Sequence, residues 1–310
     1  MFQSSMMMGG GGPNIAELFA TTLYTGTGAG RNLVTGIDAD LHWIKRRDAA
    51  ASHALYDKPR GVTKELATDS TSGETTVAAG LTAFLSNGAT LGTDADINAS
   101  GGSYVHWGFK KAARFFDVVA YTGNGSSSRS IAHSLGVAPG LLIIKRRANN
   151  AWLTYVPDGI NRFGRFDTTV FSNTSNSIAG ADATAFQITG TSDVNLSGND
   201  YVAYLFASDA DPSGVIRCGV YTGNGMGNPV SLGWRPQFLL TRPTSRSGGW
   251  RMYDTARGFS SSAPFLYPNL NFAEDAYNVQ TSSVGFVVSS TNTDMNASGE
   301  EYFYMAIREP

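Results

Sequence analysis

With 310 residues, 42% of them hydrophobic and only 15% charged, the chain is too apolar for a disordered tail and long enough for several compact domains. A net charge of −2 excludes a surface built as a whole to hold nucleic acid or an anionic membrane. The single Cys218 excludes an intrachain disulfide and a thiolate metal cluster, and no apolar run reaches the length of a membrane span.

Residues 1–19 stand apart. Met6, Met7 and Met8 run into four glycines and Pro13, poor material for a core strand, and Asn14 can cap a helical turn over residues 15–19. The stretch reads as an N-terminal arm. It is either frayed or laid across a neighbouring subunit, where Met adapts to a partner's surface. With no basic start and no hydrophobic run of signal-peptide length, the expectation is synthesis in the cytoplasm without a signal sequence.

The rest of the chain repeats one pattern three times. Tyr24, Tyr121 and Tyr221 each open Tyr-Thr-Gly-x-Gly, at steps of 97 and 100 residues. Asp-x-Asn-x-Ser-Gly-x-x-Tyr centres on Asn98, Asn195 and Asn296, at steps of 97 and 101, with Gly101, Gly198 and Gly299 leading to Tyr104, Tyr201 and Tyr302. Two markers keeping one order and one spacing mean a duplicated unit. The reading is an all-β chain of three tandem antiparallel β-sandwich repeats, jelly-roll or lectin-like, over residues 20–112, 113–210 and 211–310.

Within each copy the strands come in the same sequence. An early strand ends at the first marker, and the hairpin signals Asn124-Gly125 and Asn224-Gly225 turn the chain back. An apolar strand then breaks into charge at Lys45, Arg46 and Arg47, and again at Lys145, Arg146 and Arg147. A middle strand carries Tyr56, Trp152 or Trp250. After the Asn marker, alternation puts Val105, Trp107 and Phe109 on one face, and likewise Val202, Tyr204 and Phe206, and Phe303, Met305 and Ile307. That face is expected to be buried and the opposite one mixed, as in a two-sheet sandwich. Asn and Asp of the marker are expected to bond their own backbone two residues on, and Gly to supply the permissive dihedral of a turn.

Sites of chemistry are sparse. The Gly-rich turns lack the Gly-x-Gly-x-x-Gly spacing and the following helix that hold a pyrophosphate, so no cofactor is expected. Asp94, Asp96 and Asn98 have the oxygen spacing of a calcium loop without its bidentate Glu or central Gly. Turn chemistry and an ion site both remain open there, in the first copy alone. His42, His53, His106 and His133 have no nucleophile elbow or metal-ligand spacing beside them, and no catalytic residue is assigned. A carboxylate pair assembled by the fold, as glycan-cleaving proteins use, stays open. The two basic exits read either as protection of a strand edge or as patches for phosphate or carboxylate.

The run from Tyr121-Thr122-Gly123-Asn124-Gly125 through Ile131-Ala132-His133-Ser134-Leu135-Gly136 to Leu141-Leu142-Ile143-Ile144-Lys145-Arg146-Arg147, with Asn195-Leu196-Ser197-Gly198, resembles a repeat of tailed-bacteriophage virion proteins, common in phages of aquatic bacteria and usually described as tail-fibre-like or structural. The likeness covers nearly all of residues 20–308, and the third copy, without the Lys-Arg-Arg exit, is the most divergent. The resemblance implies a structural part of a virion and transfers no catalytic residue. It leads to three expectations. The first is a tail fibre or tail tip protein that adheres to host surface glycan without catalysis, through loops 68–76, 172–182 and 259–277, with Trp250, Tyr267 and Tyr277 as contacts. The second is a head decoration, head fibre or tail-assembly component that binds other virion proteins. The third is a glycan depolymerase. Other virion proteins, copies of itself and host polysaccharide are the expected partners, and nucleic acid and membrane insertion are not expected.

Overall fold

The fold is known from a computed structural model, which describes residues 14–158, 161–169, 171–172, 176–289 and 291–310. Met6, Met7 and Met8 lie outside the described residues, as does part of the 172–182 loop. The chain is nearly all β, in several antiparallel sheets. Asn14 does cap a short turn, over Ile15–Glu17, by accepting from the Ala16 amide.

One strand order recurs at three places. Phe19–Thr25, Ser103–Phe109, Leu41–Arg46 and Ala54–Asp57 lie side by side in that order. Phe116–Thr122, Asp200–Ala207, Pro139–Arg146 and Leu153–Val156 repeat it, and Ile216–Thr222, Glu301–Arg308, Pro236–Pro243 and Arg251–Asp254 repeat it again. In the second and third cases two more strands continue the sheet outward. In the first, the corresponding pair Lys64–Glu65 and Thr75–Thr76 forms its own small sheet, joined by the Leu55–Leu66 bridge. A three-stranded sheet accompanies each large one: Arg31–Val34, Gly88–Leu91 and Leu81–Leu85 in the first copy, with equivalents at Arg129–Ala132 and Asn228–Ser231.

The strand after each Asn marker is central in its sheet and buried on both faces, not on one as its alternation suggested. Its mixed face lies under the small sheet: Tyr104, Ile44 and Tyr56 pack with Leu33, Leu81, Ala89 and Leu91. Its large apolar face does something the sequence did not announce. Val105, Trp107 and Phe109, Val202, Tyr204 and Phe206, and Phe303, Met305 and Ile307 all belong to one continuous core shared by the three copies. The Phe109 ring lies 5.4 Å from Phe206 of the second copy and 6.1 Å from Phe238 of the third. Each such ring removed from water contributes roughly 1.5–3 kcal/mol, so the common core is the main force joining the copies.

Candidate functional site

The Asn marker builds a knot. Asn98, Asn195 and Asn296 are fully buried, and each reaches about seventy residues back to the Tyr-Thr-Gly turn instead of bonding its own backbone. The Asn98 Oδ1 accepts from the Thr27 amide at 2.9 Å while its Nδ2 donates to the carbonyls of Ala29 and Gly92, both at 2.7 Å. Asn195 and Asn296 accept from the amides of Asn124 and Asn224 in the same way. The Tyr104, Tyr201 and Tyr302 hydroxyls then accept from the backbone amides of Ala99, Leu196 and Ala297, each at 2.8 Å. Gly101, Gly198 and Gly299 turn the chain with φ of 76°, 74° and 81°, as expected of the marker. The Asn98 side chain is therefore committed to a turn, and among the described residues no group of three or more His, Cys, Asp or Glu is placed to hold a metal.

The basic exits are not free surface. Lys45 and Lys145 are fully buried, and burial pulls their ammonium groups down to about 8. Lys45 Nζ donates to the Asn271 carbonyl of the third copy, and Lys145 Nζ to the Thr71 carbonyl of the first. Arg242, which takes their place in the third copy, donates to the Arg165 and Thr169 carbonyls of the second. Arg47 and Arg147 form two-pronged pairs with Glu274 and Glu74. The contacts thus run first to third, third to second and second to first, and they close a ring. Arg46 and Arg146 stay partly exposed, bonded to Asp48 and to the Asn149 carbonyl.

Trp250 is likewise not a surface contact. It is 1% exposed, its indole donates to the Arg165 carbonyl, and Trp152 makes the equivalent bond to Ala67. His53 holds that position in the first copy and bonds the Tyr267 carbonyl. Two further contacts across the ring escaped the sequence reading: Trp107 Nε1 donates to Asp254, and the Tyr204 hydroxyl to Asp57. Both acids are buried, Asp254 paired with Arg257 and Asp57 with Arg60. The repeated Tyr-Asp-x-x-Arg-Gly at residues 56–61 and 253–258 was the available signal for them.

Of the expected aromatic contacts, Tyr267 and Tyr277 do reach the surface, on a face of the third copy. Tyr267 and Tyr277 are half-buried and Phe272 is 55% exposed. Behind them the buried Arg251 guanidinium lies 5.4 Å from the Phe265 ring, 5.5 Å from Tyr267 and 5.4 Å from Tyr277. Arg251 Nη2 also meets Asp294 Oδ2 at 3.1 Å, and Arg246 approaches the other carboxylate oxygen at 3.5 Å. The Tyr277 hydroxyl accepts from Asn292 Nδ2 at 2.6 Å. The first copy, 200 residues earlier, has Glu65, Ala67, Ser72 and Val77 where the third has Phe265, Tyr267, Phe272 and Tyr277, and by strand register Ala54 stands where Arg251 does.

Two cavities among the described residues lie at seams. One, of about 270 Å³, lies between Asn14 and Ile15 and residues 308–310. Another of about 180 Å³ is lined by Pro139, Val156, Asp158, Ser208 and Cys218, where the second and third copies meet. Burial pushes the Cys218 thiol up, which favours its protonated form.

No curated protein matches the chain. Residues 14–310 match the family described as domain of unknown function DUF7483, which spans the whole described fold from the capped turn at Asn14 to the last strand, and the chain belongs to that family.

Proposed function

We propose that the chain is a non-enzymatic structural protein of a tailed-phage virion, a tail fibre or tail tip component that adheres to host surface glycan. In this reading its three sequence copies are three tandem two-sheet β-sandwich units, and the ring contacts hold them as one rigid body. Two things support a virion part: the likeness of residues 20–308 to phage structural repeats, and a build in which most of the charged side chains singled out from the sequence are spent on joining copies. The observation that carries adhesion is the aromatic face of Tyr267, Phe272 and Tyr277, assembled on one copy and dispensable to the scaffold of another. An exposed ring flanked by half-buried tyrosines suits a ligand with alternating apolar and hydroxylated edges. A single contact of this size is weak, and affinity would come from many copies on one particle.

Purified chain incubated with host cells, or with their extracted polysaccharide, is expected to bind. Binding should weaken at least tenfold in Phe272→Ala. Absence of binding, together with incorporation of the chain into particles, would move the assignment to a head decoration or tail-assembly part. Release of reducing sugar would restore the depolymerase.

A further inference from the structure

We infer that the face on the third copy is a subsite for an uncharged pyranose, with Phe272 as the stacking platform. The inference rests on the adhesion reading and adds the chemical class of the ligand. The first step compares copies. The first copy has Ala54, Glu65, Ala67, Ser72 and Val77 at the corresponding positions, so packing of the scaffold does not call for an arginine and four aromatic rings there. Glu74 and Glu274 nevertheless keep the same cross-copy role, pairing Arg147 and Arg47, so the surrounding backbone is kept while the face is rebuilt.

The second step is charge. Arg251 is not available as an anion receptor: it is 2% exposed, enclosed by three rings and paired with Asp294. Its charge is used to hold Phe265, Tyr267 and Tyr277 in place. Arg246 shares the same carboxylate, and Asp275 stands exposed nearby on the outer strand. A ligand carboxylate would therefore meet two exposed or half-exposed acids, while the one half-exposed guanidinium, Arg246, is already drawn toward Asp294. A neutral sugar avoids that repulsion. Its apolar face can lie on Phe272, whose ring is 6.2 Å from Tyr267 and nearly perpendicular to it. Its hydroxyls can bond the Asp294 carboxylate and the Tyr277 hydroxyl, which Asn292 orients.

Saturation-transfer NMR on the full chain tests this, with neutral oligosaccharides of glucose, galactose, mannose and N-acetylglucosamine against oligogalacturonate and sialyllactose. The expected result is transfer to the ring protons of at least one neutral probe, reduced at least tenfold in Phe272→Ser and Tyr277→Val, which install the residues of the first copy. Both variants should keep the melting temperature of the parent chain within about 2 °C, because neither ring is fully buried. Transfer to the acidic probes alone would overturn the class of ligand and leave adhesion standing. Transfer to none of the probes, or transfer unchanged in both variants, would overturn the subsite, and the first of these together with absent host-cell binding would remove the adhesion reading as well.

Discussion

Asn195 replaced by Ala strips an acceptor from the Asn124 amide and leaves the Ser126 carbonyl without its donor. Each group left unsatisfied in a buried site costs about 1–3 kcal/mol, so denaturant unfolding should show a loss of that order or larger. Asn195→Asp is the sharper variant. It keeps the shape yet turns a donor into a carboxylate oxygen facing a carbonyl, and it should cost at least as much as the alanine at pH 7. A second residue-level consequence concerns His42 and His106, whose imidazoles lie 2.9 Å apart in the core of the first copy. Burial holds His42 down at about 4, with Lys58 acting in the same direction and Asp38 opposing, and holds His106 well below its ordinary value. The folded chain therefore keeps both rings neutral, while in the unfolded chain each takes up a proton near 6.5. The contribution of this pair to stability is full above that pH and falls as pH drops from about 6.5 toward 4. Denaturant midpoints at pH 7, 5.5 and 4.5 check it, and a flat profile would contradict the neutral pair.

The turn elements are as constrained as their side chains. A Cβ on Gly123 would stand 2.3 Å from the Leu196 carbonyl oxygen, and the same approach recurs at Gly26 and Gly223. Gly123→Ala must part the two turns that Asn195 ties together, at a cost of about 1–3 kcal/mol, read as a shift in thermal midpoint. The spacing of the markers made these turns legible in the sequence. Their partnership was not, because hydrogen bonds between residues some seventy apart leave no local pattern. Strand burial was half legible for a related reason. Alternation at Val105, Trp107 and Phe109 marks an apolar face, but His106 and Gly108 between them look like solvent residues until a second sheet is laid over them. The basic exits at Lys45 and Lys145 misled in the opposite sense. A charge at a strand end reads as surface, and only the neighbouring copy's carbonyls, 226 and 74 residues away, make it interior.

Three copies were readable along the chain, but their closure was not, since closure depends on contacts that join the first copy to the third. That closure sets the cooperativity of the molecule. The inner face of the second copy, with Leu141, Ile143, Trp152, Tyr204 and Phe206, is buried in the core that the three copies share. Its polar links also point outward: Lys145 and Trp152 to the first copy, and Arg162 to Thr244 and Glu301 of the third. Residues 113–210 expressed alone would therefore expose several large rings at once and lose the carbonyl partners of a buried lysine. Such a face, left uncovered, drives association. The fragment is expected to self-associate, with three fragments able to rebuild the ring by making the same directional contacts to one another. Light scattering after size-exclusion chromatography checks this. A stable, well-folded monomer would mean that the shared core contributes little and that each copy stands alone, whereas a trimer that melts cooperatively would make the ring, not the single copy, the unit that folds.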